Sequence, residues 1–342
     1  MLTRYLTFIL VALHALFALA AKNTSAISSF NCAISTLYIK AGDAPYSVCK
    51  YTSVTGQAAI TLQWYTAGPI SKKGDGGESV QISIWLDGIL SLQYYPYQLA
   101  GMPSFESFNS TPATNTWSSA LFGRYSATSW NSNIAIPFNG TLEITLQFMP
   151  PSGGATIYYQ AHGIDGVQQS FNGIQLPSHA RLQLQTQRLT LPALSYLPIV
   201  TVPAGNTGII AGIAIAFTAP NLNTLEGCFH LYTTSTTPYP GQLHSTGTED
   251  EFISSYYFDL GVFQGRSAGI FYKVDSPASI SMYRNYQDDA MIVNDGGSFV
   301  WRNGDTSDDT GVKCMVQTGG HIAGNPGAAD TQTQSWVYVW NN

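Results

Sequence analysis

The sequence predicts an all-β chain made of two jelly-roll β-sandwich modules, a double jelly roll. Apolar residues recur with period two, and runs with helical spacing longer than two turns are hard to find. Clusters of Gly, Pro, Asn and Ser punctuate the alternating runs as turns. The 342 residues fit two modules of roughly 150 residues each.

The amino terminus, "MLTRYLTFILVALHALFALAAKNTS", places one Arg before an apolar stretch and small residues after it, the layout of a secretory signal peptide over residues 1–21. A retained anchor is the alternative, although the run is short for a bilayer span of about 20 residues. The chain is thus expected to be secreted, extracellular or at the cell surface, with no membrane association once the signal is removed. Sequons at Asn23, Asn109 and Asn139 are candidate glycosylation sites on exposed loops.

In "SVQISIWLDG", Val80, Ile82, Ile84 and Leu86 share one face. Leu142, Ile144, Leu146 and Phe148 do the same in "TLEITLQFMP". "RLQLQ" and "RLTL" repeat the alternation, and "TGIIAGIAIAFTA" reads as a buried strand because it is too short for a bilayer span and rich in β-branched residues. "GCFHLYT" and "SWVYVW" supply later strands. Pro192, Pro198 and Pro203 interrupt the pattern, which places a boundary between an N-terminal module, 22–199, and a C-terminal module, 200–342. No obvious repeat of sequence relates the halves.

Composition narrows the partners. Apolar residues make up 44% of the chain, enough for a sizeable core. A formal charge of −6 leaves no electrostatic footprint for nucleic acid or an anionic membrane. Few charges among many hydroxyls, amides and aromatics suit neutral polyols. The four cysteines, Cys32, Cys49, Cys228 and Cys314, suggest two disulfides in an oxidising compartment, with three pairings formally possible. Cys32 with Cys49 closes a local loop, leaving Cys228 with Cys314. The acidic loop "NDGGSFVWRNGDTSDDTG" lacks the ladder of a calcium-binding EF-hand and reads as solvated turns, so neither metal nor cofactor is expected.

Against this weakly charged background, "STGTEDEF" sets Glu249, Asp250 and Glu251 side by side. Glu226 lies upstream, beyond a Pro- and Gly-rich reversal that can bring the two glutamates together at one end of a sheet. Paired carboxyls are what glycosidic bond cleavage requires: one protonates the leaving oxygen, and the other attacks the anomeric carbon or activates water. Acidic residues in Gly- and Thr-rich turns more commonly cap backbone N–H groups or face water, so the pattern alone does not decide.

The paired segments "LEGCFHLY" and "HSTGTEDEF" resemble the "LEGD" and "GTGTEDYF" signature of glycoside hydrolase family 172. "AIPFNGTLEITL", "IYYQAHGID", "SISMYRNYQDD" and "SWVYVW" are similar to further segments of that family in the same order, over roughly residues 60 to 340. The resemblance implies a double jelly-roll glycosidase that assembles as a homo-oligomer, a trimer or a multiple. It would act on α-linked D-arabinofuranosides or D-fructofuranosides by a retaining mechanism, with Glu226 as nucleophile and Glu249 as acid/base. Asp250 and Glu251 can raise the Glu249 pKa by like-charge repulsion. Arg284 matches a family Arg and is a candidate for holding substrate, as are Asp250, His230 and Trp336. A structural Arg, turn or edge histidines at His230 and His244, and core packing of Trp336, Tyr338 and Trp340 are the competing readings.

Three positions depart from the signature: Cys228 replaces an Asp, Glu251 replaces a Tyr, and "NYQDDAM" replaces a His-Ile-Pro-Asp-Pro run. All adjoin the acids. The rival expectation is a non-catalytic jelly-roll protein that binds glycans or assembles at a surface.

Overall fold

The computed structural model describes residues 27–68, 77–103, 117–126, 128–233, 238–306, 314 and 324–342. The signal segment and the sequons at Asn23 and Asn109 lie outside the described residues. Asn139 is half-buried in the turn between the strands Ile136–Phe138 and Thr141–Phe148. Among the described residues, no helix is long and apolar enough to cross a membrane.

The chain is a double jelly roll, and its halves repeat one strand order. In the first module a seven-stranded antiparallel sheet runs Ser28–Lys40, Gly154–Asp165, Ala58–Ala67, Ser129–Ser132, Phe122–Ser126, Trp117–Ser118, with Ile136–Phe138 also on Ala58–Ala67. In the second it runs Arg181–Leu191, Ala329–Asn341, Asn206–Ala219, Ala278–Asn285, Ala268–Asp275, Phe263–Gln264, with Met291–Val293 also on Asn206–Ala219. Each module adds a four-stranded sheet, Tyr46–Thr52, Thr141–Phe148, Val80–Leu86, Ile89–Tyr94 in the first and Tyr196–Val202, Gly297–Arg302, Phe229–Thr233, Gln242–Ser245 in the second. The repeat that the sequence hides is plain in the topology.

The boundary expected between residues 199 and 200 is corrected by these pairings, because it would cut the strand Tyr196–Val202. Sheet partners change between Asp165 and Arg181. The prolines that suggested a break instead edge that strand, where Pro198 lies at a register shift and its missing N–H does least harm.

Alternation places the core as expected. Val80, Ile82, Ile84, Leu86, Leu142, Ile144, Leu146 and Phe148 are all buried, and of their intervening neighbours all but Ser83 are at least partly exposed. Asn206–Ala219 is buried along nearly its whole length, because its sheet is covered by its own sandwich on one side and by the first module on the other. Trp336 and Tyr338 lie at that contact between modules. The Trp336 ring meets Tyr94 at 5.7 Å and Phe122 at 6.3 Å, and Tyr338 meets Phe171 at 5.6 Å while its hydroxyl donates to the Ala135 carbonyl at 2.8 Å.

The modules contribute their matching corners unequally. After its four-stranded sheet the first module forms the short helix Pro96–Leu99, whose following residues Ala100 and Met102 are fully buried. The Gln334 side chain donates to the Gln98 carbonyl at 2.8 Å, and Trp117 packs on Phe271 at 4.6 Å. The second module forms the short helix Thr248–Glu251 at the corresponding place. There Ile253, Tyr256, Leu260 and Val262 are 58%, 80%, 94% and 57% exposed.

Asp165 closes one end of the first module. Fully buried, it accepts hydrogen bonds from the Tyr51 hydroxyl at 3.1 Å, Ser53 Oγ at 2.9 Å and the Val54 N–H at 2.7 Å, and from the Thr55 hydroxyl. Burial pushes its pKa up, but those donors outweigh burial and hold it below the ordinary carboxylate value. Its stabilisation is present above the unfolded value and is lost as pH falls through the lower folded one. Asp165→Ala is expected to cost about 2–4 kcal/mol at neutral pH by urea denaturation, with the deficit shrinking in acid. An unchanged midpoint at neutral pH would contradict this role.

Candidate functional site

Glu226 ends the 3-10 turn Leu222–Glu226 that leads into the strand Phe229–Thr233, and Glu249 sits on the helix that follows Gln242–Ser245. Those two strands pair antiparallel, so the loop before one and the loop after the other meet at the same sheet end. The expected juxtaposition follows from this hairpin.

The two loops are locked beneath the acids. The buried Thr248 hydroxyl donates to the Gly227 carbonyl at 2.8 Å and accepts from the Trp301 indole N–H at 2.9 Å. Residue 227 must be glycine, because a Cβ there would stand 1.8 Å from the Arg302 carbonyl oxygen. Cys228 is disulfide-bonded to Cys314, and its N–H points at the Cys314 sulfur at 3.1 Å. Asp305 accepts from the Cys314 N–H at 3.2 Å and pairs with Arg302. Cys32 and Cys49 form the other bridge, so both pairings are as read from the sequence.

Tyr257 joins the carboxyls. Its hydroxyl donates to Glu226 Oε1, and its backbone N–H donates to Glu249 Oε1 at 3.3 Å. Both glutamates are half-buried, and Tyr257 stands between them, its hydroxyl on one and its backbone N–H on the other. Tyr256, Tyr257 and Phe258 adopt φ of 46°, 55° and 56°, a left-handed run that costs non-glycine residues about 1 kcal/mol each. Such conformations persist only where the surroundings enforce them, and they concentrate at functional sites.

Burial, with smaller contributions from the Glu226 and Asp250 charges, pushes the Glu249 carboxyl up from 4.5 to about 7 against the pull of its backbone donors. Its Oε2 is buried and has no hydrogen-bond partner, which a protonated acid tolerates better than a carboxylate. Tyr257 is held above its ordinary value, first by burial and then by Glu226, so it remains a donor.

The other candidates separate from this pair. Asp250 is exposed at the rim, where it accepts a hydrogen bond from the Thr246 hydroxyl. Glu251, expected to raise Glu249, points instead into a second cluster. It is buried, accepts from the Tyr286 hydroxyl and lies 3.4 Å from His244 Nε2, and burial pushes it to about 7. Arg284 belongs to that cluster, pairing with Asp289 and lying 5.2 Å over the Tyr286 ring. Substrate contact is corrected for two residues. His230 is buried between Cys228 Sγ at 3.2 Å and the Gly241 carbonyl at 3.3 Å, and burial lowers its pKa. Trp336 is buried between the modules.

Tyr257 and Thr248 were missed by sequence reasoning. Neither carries charge, and "SSYYFD" reads as one aromatic cluster among many; only the fold turns Tyr257 toward both acids. Among the described residues, no group of three or more His, Cys, Asp or Glu side chains could hold a metal ion.

The fold and the site define a class: a double jelly-roll protein with a tyrosine-bridged glutamate pair at one end of its second module. No family model matches the chain, and no curated protein matches it. Among solved structures, it is similar to the PBCV-1 virus capsid, with 10% identity over 91% of this chain and 94% of that one at a TM-score of 0.38. It is also similar to the STIV MCP, with 9% identity over 91% and 96% at 0.39. A third likeness is to the Sputnik virophage, with 9% identity over 93% and 86% at 0.30. At these scores, the double jelly roll rests on the strand pairing itself.

A buried acid with a raised pKa leaves a mark on stability. Glu249 favours folding fully below its unfolded value, and that contribution is lost as pH rises through about 7. Glu249→Gln, which cannot ionise, is expected to melt a few degrees above wild type near pH 8 and level with it near pH 5. Equal melting temperatures in alkali would contradict the buried, uncompensated carboxylate.

Proposed function

We propose that the chain is a secreted glycoside hydrolase of α-linked furanosides, with Glu226 as nucleophile and Glu249 as acid/base. The observation that carries this reading is Tyr257, whose two ends hold the two carboxyls, beside a Glu249 acid that burial pushes up to about 7. Pairs whose environments split their pKa values are how one site supplies an acid and a base. In the proposed cycle Glu249 gives its proton to the leaving oxygen, and the Glu226 carboxylate, oriented by the Tyr257 hydroxyl, bonds to the anomeric carbon. The Glu249 carboxylate then takes a proton from water, whose oxygen releases the sugar and frees Glu226. The furanoside preference and retention of configuration rest on the motif resemblance.

Hydrolysis of nitrophenyl α-D-arabinofuranoside and α-D-fructofuranoside tests this. Glu226→Gln and Glu249→Gln are each expected to lose several orders of magnitude in kcat. Wild-type kcat/KM is expected to fall above about pH 7 as free Glu249 loses its proton. Equal rates in all three proteins would overturn the assignment.

A second reading, homo-oligomeric assembly at a surface, is favoured by the unequal corners. The first module buries its helix Pro96–Leu99 against the second, whereas the corresponding corner of the second leaves Tyr256 and Leu260 exposed. A neighbouring copy would cover this corner by a head-to-tail contact, which closes a ring where the rotation closes and otherwise runs on as a filament. The comparisons name no glycosidase. Size-exclusion chromatography with light scattering at micromolar concentration is expected to give a multiple of the chain mass that Leu260→Glu reduces to the single chain. A wild-type monomer at micromolar concentration would dismiss it.

A further inference from the structure

The outer face of the first module's four-stranded sheet carries an ordered row of side chains. Register places Lys50 opposite Glu143, Glu143 opposite Trp85, and Trp85 opposite Leu90, so the row crosses all four strands. Ile84 and Leu86 point into the core, and alternation turns Trp85 outward, where its indole is only half-buried. Beside it lies a hollow of about 330 Å³ lined by Lys50, Thr52, Trp85, Gly88, Thr141 and Glu143. Pockets for small ligands begin at about this size.

We propose that this hollow is a second carbohydrate site, remote from the glutamate pair, that holds one neutral sugar ring against the face of Trp85. An indole face presents an apolar surface to the C–H groups of a sugar, and a half-exposed Trp between two strands covers no core. Lys50 Nζ and Glu143 Oε1 stand 3.2 Å apart, giving a donor and an acceptor at the spacing of a vicinal diol. Their charges cancel, which disfavours an ion as the occupant. The Ser47 hydroxyl and Lys50 hold the Glu143 carboxyl below its ordinary pKa, so it remains an acceptor across the neutral range. Thr52 and Thr141 add exposed hydroxyls at the rim.

The site is separable from the proposed hydrolysis, because it shares no residue with the Glu226 and Glu249 loops. The experiment is an NMR titration of the Trp indole N–H resonances in the full chain, produced without N-glycosylation so that no glycan on Asn139 can compete. The probes are the trisaccharides of cello-, xylo-, arabino- and fructo-oligosaccharides at millimolar concentration. At least one is expected to shift the Trp85 resonance, assigned from Trp85→Phe. Glu143→Gln is expected to weaken that probe about tenfold, and Trp85→Ala, read by titration calorimetry because the reporting indole is gone, to abolish its binding. Glu226→Gln and Glu249→Gln should leave it unchanged, which separates this site from the acid pair. The proposal is overturned by no shift with any probe, by binding that persists in Trp85→Ala, or by shifts lost in Glu226→Gln. A Trp85 resonance protected from all probes because copies of the chain cover it would overturn it equally. Should Trp85→Ala fail to fold, Glu143→Gln read at the Trp85 resonance and Trp85→Leu read by calorimetry carry the same comparison.

Discussion

Thr248 is the point on which the candidate site depends. Its hydroxyl sits in the core, receiving the Trp301 indole N–H and giving its own proton to the Gly227 carbonyl. That one group ties the loop before a strand to the loop after its hairpin partner, so two stretches that would otherwise drift apart hold a fixed separation. Gly227 permits the approach because nothing larger fits under the Arg302 carbonyl. Glu226 and Glu249 ride on this lock, and Tyr257 closes it from above. A buried hydroxyl with both capacities used is rigid, and rigidity is what a pair of reacting carboxyls requires.

The duplicated topology explains why the carboxylates gather in one place. Two modules of the same strand order cannot present the same corner to the same neighbour. The first module spends its corner on the contact with the second, and an unpaired acid buried there would be costly. Only the corner of the second module, turned away from that contact, tolerates Glu249, Asp250 and Glu251 together. The remainder of the chain is weakly charged, with Asp, Glu, Lys and Arg making up only 10% of the sequence.

Departures from the motif turn out to be neighbours in space. Glu251 and Tyr286 occupy two of the altered stretches, and the Tyr286 hydroxyl donates to Glu251. The tyrosine on one element keeps the buried carboxyl on the other partnered. Cys228 is matched likewise by Cys314, so the strand after Glu226 is held covalently. These pairs form a second wall beside the acids.

Local chemistry made part of this legible in the linear chain. Period-two alternation fixes which face of Val80–Leu86 or Thr141–Phe148 meets the core, because successive strand side chains point to opposite sides. The hairpin of Phe229–Thr233 and Gln242–Ser245 brings Glu226 and Glu249 to one sheet end for an equally local reason, and the bridge between Cys32 and Cys49 closes a short loop. What depends on distant residues was not legible. The module boundary follows strand pairings across more than a hundred residues, so the prolines at 192, 198 and 203 misplace it. Trp336 looked free to stack on a sugar, yet the first module covers it. His230 looked like a neighbour of the acids, yet alternation sends it beneath the disulfide. Tyr257 acquires its place only because a left-handed backbone run, enforced by packing, aims it at two carboxyls at once. Sequence determined the elements and their faces; only tertiary contact decided which faces remain open to a ligand.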